Sequence, residues 1–288
     1  MVEGLGLKGP RGWVFRDVSF RAGAGSLVAI EGPSGTGRTC LLLALTGRMK
    51  IREGHAEVGA LPLPRRMAAV RRIAALGQVP GVSELDPALT VAEHLRERAL
   101  LQRRFDGSVR ALLRRPGARA AETRARIDEA VAAAGLDLAA LPKGERTSVR
   151  DLERLEALRL SIALALLGRP RLLGVDDTDL KLSDADRAEA WALLRAVAAA
   201  GTTVLAVCSE APAGALRITT VDTATKADAD DTATPAEPAV PAEPVAPADP
   251  DGSAEPADPA GPAGPDATAE DDTTEEGAAD ALAETGRA

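Results

Sequence analysis

Apolar residues in this chain gather in short runs separated by polar and glycine-rich segments, and they thin out after residue 218. Ser26-Leu27-Val28-Ala29-Ile30 is a brief, partly β-branched apolar run and predicts a buried strand. Cys40-Leu41-Leu42-Leu43-Ala44-Leu45 predicts a buried helix that Gly47 closes. Arg171-Leu172-Leu173-Gly174-Val175 predicts a second buried strand, with Asp176 at its tip. Trp191 falls on an apolar helical pattern and is expected in the core. No apolar run reaches the roughly 18 residues of a membrane-spanning helix. The N-terminus lacks the basic region and apolar stretch of a signal peptide, so a cytoplasmic location is expected.

The charge is unevenly placed. Residues 219–288 hold 18 Asp or Glu against two basic residues, Lys226 and Arg287, a net of −16. The remainder holds 25 acids and 33 bases, a net of +8, so the overall −8 conceals a basic part and an acidic tail. Prolines recur every three residues from 235 to 250 and again from 256 to 265, the period of a polyproline II helix. With so few large apolar residues, 219–288 is expected to remain disordered. It is either a solvated tail or a segment that screens the basic part or docks on a basic partner surface. The two cysteines, Cys40 and Cys208, lie far apart in apolar surroundings and read as free thiols of a reducing compartment. Arginines outnumber lysines 30 to five, a bias that fits a GC-rich genome.

Candidate chemistry sits between the first predicted strand and helix. Gly32-Pro33-Ser34-Gly35-Thr36-Gly37-Arg38-Thr39 has the spacing of a phosphate-binding loop, with Cys40 continuing into the helix. Glycines let backbone N–H groups curl around phosphate oxygens, and the helix start adds partial positive charge. Thr39 places a hydroxyl for Mg²⁺. A glycine-rich strand–helix turn without a ligand is the competing reading, which the strand–loop–helix frame disfavours. The penultimate position of such loops is Lys, and here it is Arg38. A guanidinium is planar and bidentate where an ammonium is a compact point charge. Nucleotide binding can survive that change, whereas alignment of a transferring phosphoryl group is at greater risk. Asp176 at the second strand tip matches the Walker B arrangement, in which a carboxylate holds Mg²⁺.

The order of these motifs resembles the ATP-binding cassette of ABC transporters over residues 10 to 218. Gly12-Trp13-Val14-Phe15-Arg16-Asp17-Val18-Ser19-Phe20 is similar to that family's first strand. Arg71–Gln78 resembles the segment leading into its Q-loop, Leu85–Leu95 the stretch after it, and Ile162–Pro170 the helix and turn before Walker B. The resemblance implies an α/β fold with a RecA-like P-loop core, an antiparallel β portion and a helical subdomain across about 96–160. It makes 1–218 the cassette and 219–288 the tail. It implies ATP and Mg²⁺ as ligands, with Gln78 joining Thr39 and Asp176 at the metal and also touching the attacking water as a catalytic residue, and with Trp13 as the candidate adenine stack. It also implies an integral membrane permease-like subunit as partner, a cassette homo- or heterodimer, and a position at the inner face of the membrane. Arg103, Arg104, Arg110, Arg114 and Arg115 would then face the membrane subunit. No direct nucleic-acid binding is expected, because one cassette is present and no aromatic-interleaved basic surface is evident.

Four departures accompany the match. The LSGGQ signature aligns with Leu152-Glu153-Arg154-Leu155-Glu156, which lacks its hydroxyl and both glycines and adds carboxylates that repel phosphate. The catalytic Glu aligns with Asp177, one methylene shorter. The switch His aligns with Ser209, and the D-loop with Leu180-Lys181-Leu182-Ser183. Three functions compete: a transporter ATP-binding subunit with weak or lost hydrolysis, a non-hydrolysing nucleotide-sensing module, and a cassette acting on nucleic acid.

Overall fold

The computed structural model describes residues 1–10, 12–105 and 116–220. The acidic tail beyond Thr220, together with Arg110, Arg114 and Arg115, lies outside the described residues. Two sheets frame one another through a shared apolar layer. Strands β1 (Val2–Gly9), β2 (Gly12–Phe20), β4 (Glu53–Val58) and β5 (Leu61–Leu63) form an antiparallel sheet in the order β2-β1-β4-β5. Strands β3 (Leu27–Glu31), β6 (Ala74–Leu76), β7 (Leu172–Val175), β8 (Thr203–Cys208) and β9 (Leu216–Thr219) form a parallel sheet in the order β6-β7-β8-β3-β9. The described helices are α1 (Arg38–Leu45), α2 (Met67–Ile73), α3 (Val91–Phe105), α4 (Pro116–Ala133), α5 (Arg154–Leu166) and α6 (Asp184–Ala199).

The parallel strands read as continuous apolar runs because both of their faces are covered. Successive side chains alternate between two cores. Val28 and Ile30 of β3, with Leu205 and Val207 of β8, join α1 residues Leu41 and Leu42 and the antiparallel residues Leu5 and Phe15. Leu27 and Ala29, with Val204, Ala206 and Cys208, join Leu160 and Ile162 of α5 and Trp191 and Leu194 of α6. Trp191 is a core residue, as its pattern predicts. Helix α1 ends in a Schellman motif one position past the C-cap Thr46. Gly47 adopts φ +73°, its N–H donates to Ala44 O at 3.1 Å, and Arg48 N donates to Leu43 O at 2.8 Å.

Two boundaries differ from those expected of the sequence. Gly12–Phe20 is the second strand, because β1 precedes it and pairs with it. Gly4, Gly6 and Gly9 interrupt the apolar alternation of β1, and its register with β2 shifts three times, which removes a clean period-two signal. The fold also runs past 218: Thr219 ends β9 and Thr220 is buried, donating to Thr36 Oγ1 at 3.0 Å.

The close approach of β4 to β1 gives a stability prediction. Gly54 has φ +70°, and a Cβ there would lie 2.1 Å from Gly4 O. Gly54→Ala combines left-handed strain with a backbone clash and is expected to cost about 3 kcal/mol. Gly81→Ala, at φ +71° in open space, is expected to cost only about 1 kcal/mol. Urea unfolding midpoints of the two variants check the difference.

Candidate nucleotide-binding site

Apart from Trp13, which lies on β2 of the antiparallel sheet, the candidate groups emerge at the carboxyl ends of the parallel strands, where open α/β sheets place their ligand crevices. The Gly32–Thr39 loop follows β3, Gln78 lies two residues past the end of β6, Asp176 follows β7 and Ser209 follows β8. Gly32, Gly35 and Gly37 take φ values of +152°, +85° and +81°, so the loop depends on residues without a Cβ. A Cβ on Gly37 would meet Val14 O and Cγ1 at 2.7 Å, so the loop presses on β2 beside Trp13. A Cβ on Gly35 would meet nothing, which leaves the loop's outer side open.

Thr39 Oγ1 donates to Asp176 Oδ2 at 2.6 Å, and Asp177 N donates to Asp176 Oδ1 at 2.9 Å. Asp176 N in turn donates to Gln78 O at 2.9 Å, which holds the Q-loop residue against the tip of β7. The Gln78 Oε1 atom is buried without a hydrogen-bond partner. Burial pushes the Asp176 carboxyl above its ordinary range, and the Asp177 charge adds to this. The hydrogen bonds from Thr39 and Asp177 and the charge of Arg38 pull the other way.

These groups suit a Mg²⁺–nucleotide. A buried carboxylate that resists ionisation and an orphaned amide oxygen are both relieved by a cation. Among the described residues no three His, Cys, Asp or Glu side chains gather into a metal cage. Mg²⁺ needs none, since it is ordinarily held by one or two carboxylates together with substrate phosphates.

Arg38 and Trp13 are already engaged. The Arg38 guanidinium donates to the carbonyl of Cys208, at the end of β8. Trp13 is partly buried rather than core, with its indole across Gly6. The Arg16 guanidinium lies 4.9 Å and the Lys8 ammonium 5.6 Å from its ring centroid. Cys40 is half-buried and Cys208 buried, and both are free thiols. Burial, then the charges of Asp179 and Glu31, push the Cys208 thiol up to about 12, so it stays protonated. Asp177 adopts φ +49°, a left-handed conformation that Asp tolerates better than most residues.

Sequence reasoning missed two acids that organise the segment around Ser209. Asp179 is buried and its Oδ2 accepts from Ser209 N at 2.7 Å and Glu210 N at 3.3 Å. Glu31 Oε2 accepts from Ala211 N at 3.2 Å, while its other oxygen pairs with Arg217 at 2.5 Å. Thr178 donates to Val207 O through both N (3.1 Å) and Oγ1 (2.9 Å). The available signal was an acid at the end of β3 and another four residues past β7, the two strands that flank β8. The acids of the signature-like segment act locally: Glu156 Oε2 accepts from Glu153 N at 2.8 Å, as in a capping box at the start of α5.

A parallel sheet carrying this loop after its interior strand β3 is a P-loop NTPase fold. The ABC transporter family model matches residues 15–179, and the chain belongs to that family. Nod factor export ATP-binding protein I of Bradyrhizobium diazoefficiens is 30% identical over 192 residues, covering 67% of this chain and 56% of that protein. Its counterpart in Rhizobium meliloti is 29% identical over 192 residues, covering 67% and 51%. The chain thus spans about half the length of the curated relatives it matches. A dimeric ATP-binding cassette solved with ADP and phosphate superposes with a TM-score of 0.56 at 21% identity, covering 73% of this chain and 87% of that one. An ABC transporter ATP-binding protein structure from Pyrococcus furiosus gives 0.58 at 15% identity, covering 77% and 97%. Among the described residues no helix is long and apolar enough to cross a membrane.

Proposed function

We propose that this chain is the ATP-binding subunit of an ABC-type transporter or related membrane complex, and that it hydrolyses ATP weakly or not at all. The observation that carries nucleotide binding is the phosphate loop tied through Thr39 to buried Asp176, with Gln78 anchored beside it. In this reading the loop N–H groups and Arg38 bind phosphate, and Trp13 stacks the base once Arg16 moves aside. Thr39, Asp176 and Gln78 would hold Mg²⁺, which neutralises phosphate charge when bound. Weak turnover follows from Asp177 being one methylene short, from Ser209 in place of an imidazole, and from the acids at 153 and 156.

A permease-like membrane subunit and a second cassette, identical or different, are the proposed partners, with the chain at the inner face of the membrane. The names of its relatives point towards export. A cleft of about 400 Å³ lies beside the Q-loop, where Leu85, Leu89 and Leu101 share the lining with Glu84, Glu97 and Arg98, and it offers such a subunit a seat of mixed apolar and charged character. The link from Arg38 to the Cys208 carbonyl favours a second reading, a nucleotide-sensing module in which phosphate competes for the guanidinium.

Purified full-length chain is expected to bind Mg-ATP with little phosphate release, and Asp177→Glu is expected to raise turnover by less than about tenfold, because Glu fits the φ +49° backbone poorly. Calorimetric binding and a phosphate-release assay check this. Wild-type turnover near one per second or above, a common rate for working enzymes, overturns the weak-hydrolysis reading. Absence of ATP binding overturns the assignment itself.

A further inference from the structure

Helix α2 and the end of α1 form a basic face with no acidic counterpart. Residues 58–83 contain Arg65, Arg66, Arg71 and Arg72 and no Asp or Glu, and residues 32–52 contain no acid either. The two segments meet in space: Arg71 Nη1 donates to Gly47 O at 2.8 Å, and Arg48 Nη1 donates to Thr46 O at 3.0 Å. Arg65, Arg66, Arg71 and Arg72 are exposed, as is Lys50 two residues beyond Arg48. None of these groups has a carboxylate within salt-bridge distance among the described residues. Burial, then the charges of Arg71 and Arg98, hold the Arg48 guanidinium below its usual range. Like charges crowded in this way repel one another and favour an anionic occupant.

The chain itself carries that anion. Immediately after Thr220 come Asp222, Asp228, Asp230 and Asp231, with one intervening base, Lys226. Their starting point is fixed, because Thr220 is hydrogen-bonded to Thr36 of the phosphate loop. Helix α1 begins two residues past Thr36 and has eight residues, so its basic end lies roughly 12 Å along its axis. Eight residues separate Thr220 from Asp228, and an extended chain of that length spans up to about 27 Å. We propose that the acidic segment Asp222–Asp231 docks within the same chain on the basic face formed by α2 and the end of α1. Multiple carboxylates facing multiple guanidiniums supply charge-assisted hydrogen bonds that no folded residue provides there.

Zero-length carbodiimide cross-linking of the full chain tests this, since the chain has lysines only at 8, 50, 143, 181 and 226. At low salt Lys50 is expected to join Asp228, Asp230 or Asp231 at least about fivefold more often than Lys8, Lys143 or Lys181 does, and 0.5 M salt, about five times the ionic strength of a 10 Å Debye length, is expected to abolish the product. The variant Arg65→Gln/Arg66→Gln/Arg72→Gln replaces exposed arginines whose side chains make no hydrogen bond among the described residues and is expected to reduce the Lys50 product severalfold. Equal cross-linking across the four folded lysines, or an unchanged product in the triple variant, overturns the proposal. So does a product that forms only between isotopically distinct copies. Binding to anionic phospholipid vesicles with no Lys50–tail product also overturns it, in favour of a membrane surface.

Discussion

Asp176→Asn is expected to raise the stability of the nucleotide-free chain at neutral pH while removing most of its Mg²⁺-dependent nucleotide affinity. Burial lifts the Asp176 carboxyl above its ordinary value of 3.8 in the folded state. The unfolded chain therefore releases this proton first, and the folded state binds more protons between the two pKa values. Stability contributed by this group falls as pH rises from about 4 through the raised folded value, and the full cost remains above it. Asn carries no charge at any of these pH values, and both contacts can be kept, its Oδ1 accepting from Asp177 N and its Nδ2 donating to the Thr39 hydroxyl oxygen. Thermal unfolding without Mg²⁺ should thus show the variant ahead at neutral pH and level with wild type in acid. With Mg²⁺ and ATP the order reverses, because the wild-type carboxylate then has a cation to face. A loss of about 3 kcal/mol, near 100-fold in affinity, is the scale of breaking a buried charge pair. Titration calorimetry with and without Mg²⁺ reads it. Equal Mg²⁺ dependence in both proteins removes Asp176 from the metal site.

Arg38→Ala is the second large effect. Hydrogen bonds involving an ionised partner contribute about 1.5–3 kcal/mol, so ATP affinity should fall about 10- to 100-fold. Arg38→Lys should retain most of the binding while losing the bond to the Cys208 carbonyl. Hydrogen exchange around Cys208–Ala211 should then be faster in both variants without nucleotide. Affinity for ATP in the Ala variant equal to wild type would mean that Arg38 serves only β8, and the phosphate-loop reading would weaken accordingly.

The parts of the fold visible in the sequence are those with an unbroken physical signal. β3 and β7 are apolar on both faces, so their residues read as strands without any partner in view. The loop after β3 is legible because three glycines at this spacing, between a strand and a helix, match the backbone path that wraps a phosphate. β1 is hidden because its glycines and shifting register break the alternation, and its place is set by β2 and β4. The engagement of Arg38 with Cys208, 170 residues away, is a tertiary contact that no local pattern encodes. Asp179 looks like a turn residue in the sequence, and only the packing of β7 beside β8 reveals that its carboxylate caps two amides near Ser209. Glu153 and Glu156 read as a damaged signature, while their local geometry is that of an ordinary helix start.

The cations stacked over Trp13 have an optical consequence. The chain contains two tryptophans and no tyrosine, and Trp191 is sealed in the core at 5% exposure. Any ligand-dependent change in ultraviolet emission must therefore arise chiefly at Trp13, whose excited state is sensitive to a guanidinium 4.9 Å away. A base that takes the place of Arg16 would announce itself in the protein's own fluorescence, with no dye attached.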